Sequence, residues 1–225
     1  MGGRGQSISG KSFDNFGKER GAKFYDRTEQ YKGMNLMEFE NMIRDRKSEF
    51  IGIFDKNGKL LIAGTSGLKG KVAVPTNDPR MKGAYILTHN HPYSGNRGIG
   101  GTFSEADMYV HASLKLKQTR AVSNGRISRG KKERVHIMQS KKNADYEKLY
   151  GAVSKIEKTK QLSKTGKATV EKVEKNLNKK NKSLSRTQRS SAYLGGMKKI
   201  YKNNKSIQDA GFEYYDVKRK VRKNK

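Results

Sequence analysis

Between Gly83 and Leu116 one stretch reads as strand, then turn, then helix, and it constrains everything built around it. "GAYILT" is a short apolar run suited to a buried strand. It leads into "HNHP", where Pro92 stops the strand and stiffens the turn. A glycine-rich segment follows, and "SEADMYVHASLKL" (Ser104–Leu116) then opens a helix, with Ser104 placed to cap it. In an extended segment, residues two apart face the same side. His89 and His91 therefore present both imidazoles to one point, and Asp107, in the first helical turn, brings a carboxylate towards it. Two imidazoles and a carboxylate with a fourth position open suit a hydrolytic Zn²⁺.

A proton must also move from water to a leaving group, and Glu49 is the candidate general base. It opens the β-rich run "EFIGIF", which as a neighbouring strand would set Glu49 beside the histidines. Ser104 offers a hydroxyl to a developing oxyanion. Each assignment has a plainer competitor. Ser104–Asp107 is also a capping-box pattern, and one aspartate can both cap and ligate. Glu38 and Glu40, on a helix expected from Asn35 to Arg46, compete with Glu49. His111 lies one turn after Asp107 on the same helical face. It is a second-shell group or alternative ligand in one reading and a half-buried helix histidine in the preferred one. His136 alternates with Val135 and Ile137 and is expected to face solvent. The contiguous letters "HNH" lack the spread of an HNH nuclease, and "GNRGIGG" lacks the lysine and hydroxyl that complete a P-loop.

The rest of the chain divides by composition. Residues 1–30 are rich in Gly, Ser and charge and read as a flexible basic arm. Residues 31–138 read as one α+β unit. Its elements are a helix capped by Asn35, strands at Ser48–Asp55, at "KLLIAGTSG" and at "KVAVP" (Lys71–Pro75), the histidine strand, the Ser104 helix and a closing hairpin. "KNG" (Lys56–Gly58) is the turn between the first two strands. Residues 139–225 hold 25 Lys+Arg against 8 Asp+Glu and read as a basic helical extension, with helices at 143–163, 166–183 and 186–204. "GFEYYDV" (Gly211–Val217) is the one apolar-aromatic cluster near the end and can dock back on the core.

The 225 residues carry a net charge of +29 and are only 32% hydrophobic, so the core occupies part of the sequence and polyanions are attracted. The absence of cysteine excludes disulfides, thiol nucleophiles and thiolate metal sites. No apolar run reaches membrane-spanning length, and the N-terminus lacks the apolar centre of a signal peptide. The expected location is the host cytoplasm or a virion.

A glutamate on an early strand, then "HNHP", then "GGTFSEAD", resembles the JAB/MPN (JAMM) metalloprotease family over roughly residues 48–138. It is most similar to the bacterial and phage branch, with its RadC-like proteins and JAB domains attached to phage head-morphogenesis proteins. The resemblance implies a curved mixed β-sheet flanked by helices. It implies Zn²⁺ held by His89, His91 and Asp107, Glu49 as general base, Ser104 stabilising the oxyanion, and cleavage of peptide or isopeptide bonds. The segment from His91 to Ser104 is longer than the usual family spacing, through the insertion at 94–101. The competing function is a basic structural or nucleic-acid-binding protein, such as a minor head component touching capsid proteins, that uses the same fold as an inactive scaffold.

Overall fold

The structure, a computed structural model, describes residues 22–68, 70–92, 102–123, 132–178 and 183–220. The insertion at 94–101, residues 1–21 of the arm and the last five residues lie outside that range. In chain order the elements are β1 (Tyr25–Asp26), α1 (Leu36–Ile43), β2 (Phe50–Phe54), β3 (Leu60–Thr65), β4 (Ile86–His91), α2 (Glu105–Ser113), β5 (Gln118–Ser123), β6 (Lys132–Ser140), α3 (Tyr146–Lys158), α4 (Gln161–Asn178), α5 (Arg186–Asn203), α6 (Lys205–Asp209) and β7 (Phe212–Lys220). The fold is α+β, with one mixed seven-stranded sheet in the order β1-β3-β2-β4-β5-β6-β7.

Asn35 starts α1 with a full capping box, its side chain accepting from the Met37 and Glu38 amides while Glu38 accepts from the Asn35 amide. Glu38 is thereby occupied as a cap. The helix seats Phe39 directly over Gly52 of β2, where a Cβ would lie 2.3 Å from the Phe39 ring. The β2–β3 hairpin turns at "KNG" as its sequence demands, with Gly58 at φ +81° and the Asp55 carboxylate accepting from the Asn57 and Lys59 amides. β2 is buried along its whole length, which matches its unbroken apolar run "FIGIF".

Two expectations change here. Residues 22–30, read as part of the arm, include β1, which pairs antiparallel with β3. "KVAVP" forms no strand. β3 already has β2 on one side and β1 on the other, so no ladder position remains for it. The segment instead runs extended, with Val72 and Val74 packed against the Ile51–Leu87 cluster and the Ala73 amide donating to Ser66 Oγ at 2.9 Å.

β4 and β5 are the parallel pair of the sheet, and α2 is the crossover that a parallel connection requires. This brings the carboxyl end of β4 against the amino end of α2. Beyond residue 139 the chain supplies α3 to α6 and then the strand β7, which pairs antiparallel with β6 from Lys132 to Ser140. The segment expected as a helical extension thus contributes an edge strand to the main sheet, at the aromatic cluster "GFEYYDV". One core cluster joins Phe103, Met108 and Ala112 to Leu149, Tyr201, Phe212 and Tyr214.

Candidate metal centre

The histidine strand behaves as its period predicts. His89 and His91 sit on one face of β4, with Nε2 atoms 2.9 Å apart. β2 runs antiparallel beside it in the register Ile51↔His89, and two residues further that register sets position 49 opposite position 91. Glu49 is 7% exposed, and one of its carboxyl oxygens and a ring nitrogen of each histidine all lie within 4.8 Å of one another. These three groups could hold a metal ion.

The residue between the histidines secures that arrangement. Asn90 points to the opposite face, where its Oδ1 accepts from the Phe50 amide at 2.7 Å and its Nδ2 donates to the Ser48 carbonyl at 3.2 Å. One buried amide therefore holds both neighbours of Glu49. Asn90 carries no role in the sequence pattern, and its one signal there is an amide set between the two histidines, hence on the opposite strand face.

Asp107 completes the cluster from α2. Its Oδ1 lies 3.5 Å from His89 Nε2 and its Oδ2 3.9 Å from His91 Nε2. Ser104 donates to Asp107 Oδ2 through both its amide, at 2.7 Å, and its hydroxyl, at 2.8 Å, while the Asp107 amide donates back to Ser104 Oγ. The capping-box reading of Ser104–Asp107 is thus realised, and the same capped carboxylate faces the histidines. The five residues singled out from the sequence converge at one place.

The competitors sit elsewhere. Glu40 is fully buried on the opposite sheet face, paired with Arg120 at 2.6 Å and Arg219 at 2.7 Å. His111 is also fully buried and is spoken for at both nitrogens. Ser140 Oγ donates to the Leu116 carbonyl, so it accepts from His111 Nε2, and Thr119 Oγ1 then donates to Nδ1. His111 is therefore no ligand here and ties α2 to β5 and β6. His136, expected in solvent, is 1% exposed and bonds Tyr214 through Nδ1 at 2.8 Å. Alternation misled because β6 is covered on both faces, Val135 and Ile137 being buried as well.

Burial and charge shape the site's protonation. Burial, with the Asp107 charge added to it, pushes the Glu49 carboxyl up to about 8. Burial lowers His89 to about 4, with Asp107 opposing and His91 assisting, so its ring is neutral at pH 7. The neutral His89 ring, its Nε2 facing that of His91 beside the Glu49 and Asp107 carboxyl groups, belongs to a donor set for a cation. A cavity of about 290 Å³ opens onto Glu49, His89 and Asp107, with Val72, Val74 and Val110 among its walls. Comparison with protein-family models, curated proteins and solved structures found no match for this chain.

Proposed function

We propose that the chain is a zinc-dependent peptidase or isopeptidase of the JAMM type. One observation carries the reading: His89 and His91 on β4 face each other with Nε2 atoms 2.9 Å apart, Asp107 on α2 brings Oδ1 to 3.5 Å of His89 and Oδ2 to 3.9 Å of His91, and Glu49 lies alongside. Two imidazole nitrogens and a carboxylate are a donor set that suits Zn²⁺, and the nitrogen pair and the His89–Asp107 pair are each close enough to share one ion. In this reading His89, His91 and Asp107 hold the ion. Once bound, it supplies Lewis-acid polarisation and a water of lowered pKa.

The chain's own groups do the rest. Glu49 takes a proton from the attacking water and delivers it to the leaving amine. Burial raises its carboxyl above the usual range, which favours its holding the proton between the two transfers. The Ser104 hydroxyl, at the mouth of the site, turns from Asp107 to the carbonyl oxygen as charge develops there. The apolar walls beside Asp107 bind the substrate segment next to the scissile bond and limit water.

The test is metal content of the purified protein beside the His89→Ala/His91→Ala double variant. About one Zn²⁺ per chain is expected in the wild type and none in the variant. Glu49→Gln should retain the metal and lose hydrolysis of a peptide or isopeptide substrate. A wild-type protein that takes up no metal after Zn²⁺ is added back would sink the reading.

A further inference from the structure

The residues that carry Ser104 and Asp107 into place are held by a part of the chain 98 to 112 residues away. Thr102 Oγ1 donates to the Tyr214 hydroxyl at 3.2 Å, and Tyr214 in turn lies 2.8 Å from His136 Nδ1. The Tyr201 hydroxyl donates to the Phe103 carbonyl at 3.1 Å. The Phe103 ring is fully buried and wedged between the site and these tyrosines, with ring centres 6.4 Å from His89, 6.3 Å from Tyr201 and 6.1 Å from Tyr214. Ser104, the next residue, fixes the Asp107 carboxylate with two hydrogen bonds.

Packing alone would be met by phenylalanine at 201 and 214. Each position instead buries a phenol, and burial raises both hydroxyls' pKa, so each needs a partner. The partners are the backbone and side chain of residues 102–103 and the histidine next in line. His136 shares a sheet face with His89, in the row His89–Ala121–His136 across β4, β5 and β6.

We infer that Tyr214 and Tyr201 are positioning residues of the metal centre, bracing the 102–104 bend and through it the Asp107 carboxylate and the His89 ring. The inference rests on the metal-site reading above. It makes the segment 201–214 part of the centre, so that the ligand geometry depends on the docking of α5 and β7. Residues that orient metal ligands commonly change metal affinity 10–100-fold when removed. These act one step further out, and an effect of about tenfold is expected.

The experiment compares full-length wild type, Tyr214→Phe, Tyr201→Phe and Thr102→Val, the last removing the other end of the Tyr214 bond. Tyr146→Phe is the control. Tyr146 belongs to the same packed region, and its hydroxyl bonds the Leu116 carbonyl at 3.0 Å, away from the ligands. Zn²⁺ affinity is read by competition with a fluorescent chelator, ligand geometry by the visible absorption of the Co²⁺-loaded protein, and folding by Tm. Tyr214→Phe and Thr102→Val should each weaken Zn²⁺ binding about tenfold and shift the Co²⁺ bands, with Tyr201→Phe in the same direction. Tyr146→Phe should lower Tm and leave both metal readouts unchanged. If the bracing variants change only Tm, as the control does, the tyrosines are ordinary core residues and this inference falls while the metal site stands. If the wild type binds neither ion, both fall.

Discussion

Asn90 shows how much one side chain settles. It is fully buried, and its amide spans from the Phe50 N–H to the Ser48 carbonyl, on either side of Glu49. Asn90→Ala leaves the Phe50 amide without its partner in the interior, a loss of about 1–3 kcal/mol. The expected result of chemical denaturation is a drop of that size; under the proposed function, Zn²⁺ stays bound by His89, His91 and Asp107 while hydrolysis falls towards the Glu49→Gln level. Full activity in Asn90→Ala would show that Glu49 holds its place without the clamp. His111 is a second such residue, and its sign can be worked out. Burial lowers it from 6.5 to about 3, so the folded chain refuses a proton that the unfolded chain accepts. Its stabilising contribution is complete above pH 6.5 and is lost progressively as pH falls towards 3. Urea titrations at several pH values should show this decline, and His111→Gln, which does not titrate, should show a flatter slope. An unchanged slope would assign the acid sensitivity to other groups.

At the scale of elements, the decisive unit is β4–α2–β5. A parallel pair forces a helical crossover, and the crossover sets a helix start beside a strand end. This brings Asp107 to His89 and His91 from 18 and 16 positions further along the sequence. α1 and β2 make a second close fit at Gly52, where Phe39 occupies the space of a side chain. Gly52→Ala overpacks this contact and should cost about 1–3 kcal/mol in thermal or chemical unfolding. A neutral result would mean that α1 can lift from the sheet. The helices α1, α2, α3, α4 and α5 fall close to where periodicity and caps put them, because those signals are local. "KVAVP" has the residues of a strand and is none, since pairing depends on a neighbour with a free edge.

At the scale of the whole molecule, the first helix and the last strand meet through one buried carboxylate. Glu40 on α1 pairs with Arg120 on β5 and Arg219 on β7 and also accepts from Thr88 Oγ1 on β4 at 2.9 Å. Glu40→Ala strands two guanidinium groups around an uncompensated site. Breaking a buried pair from one side costs about 3–5 kcal/mol, so a clear fall in Tm is expected. A Tm within a degree of the wild type would show that solvent reaches these arginines freely. The basic character after residue 139 is compatible with this integration because the helices place lysines such as Lys155, Lys158, Lys164 and Lys167 on exposed faces. Among the described residues, no helix is long and apolar enough to cross a membrane.

The sequence by itself determined the local pieces of the candidate site. The two-residue spacing puts His89 and His91 on one face, the S-x-x-D pattern caps α2 and orients Asp107, and the β2 run begins just after Glu49. Spacing and capping act over one to four residues, so they survive without knowledge of the fold. Only the tertiary structure decided which of three glutamates faces the histidines, that His111 and His136 are buried, and that Tyr201 and Tyr214 stand behind the Thr102–Ser104 bend. Those outcomes depend on strand order and on which sheet faces are covered. They arise from contacts between segments 40 to more than 100 residues apart, such as Phe50 with Asn90 and Thr102 with Tyr214, whose register no local pattern encodes.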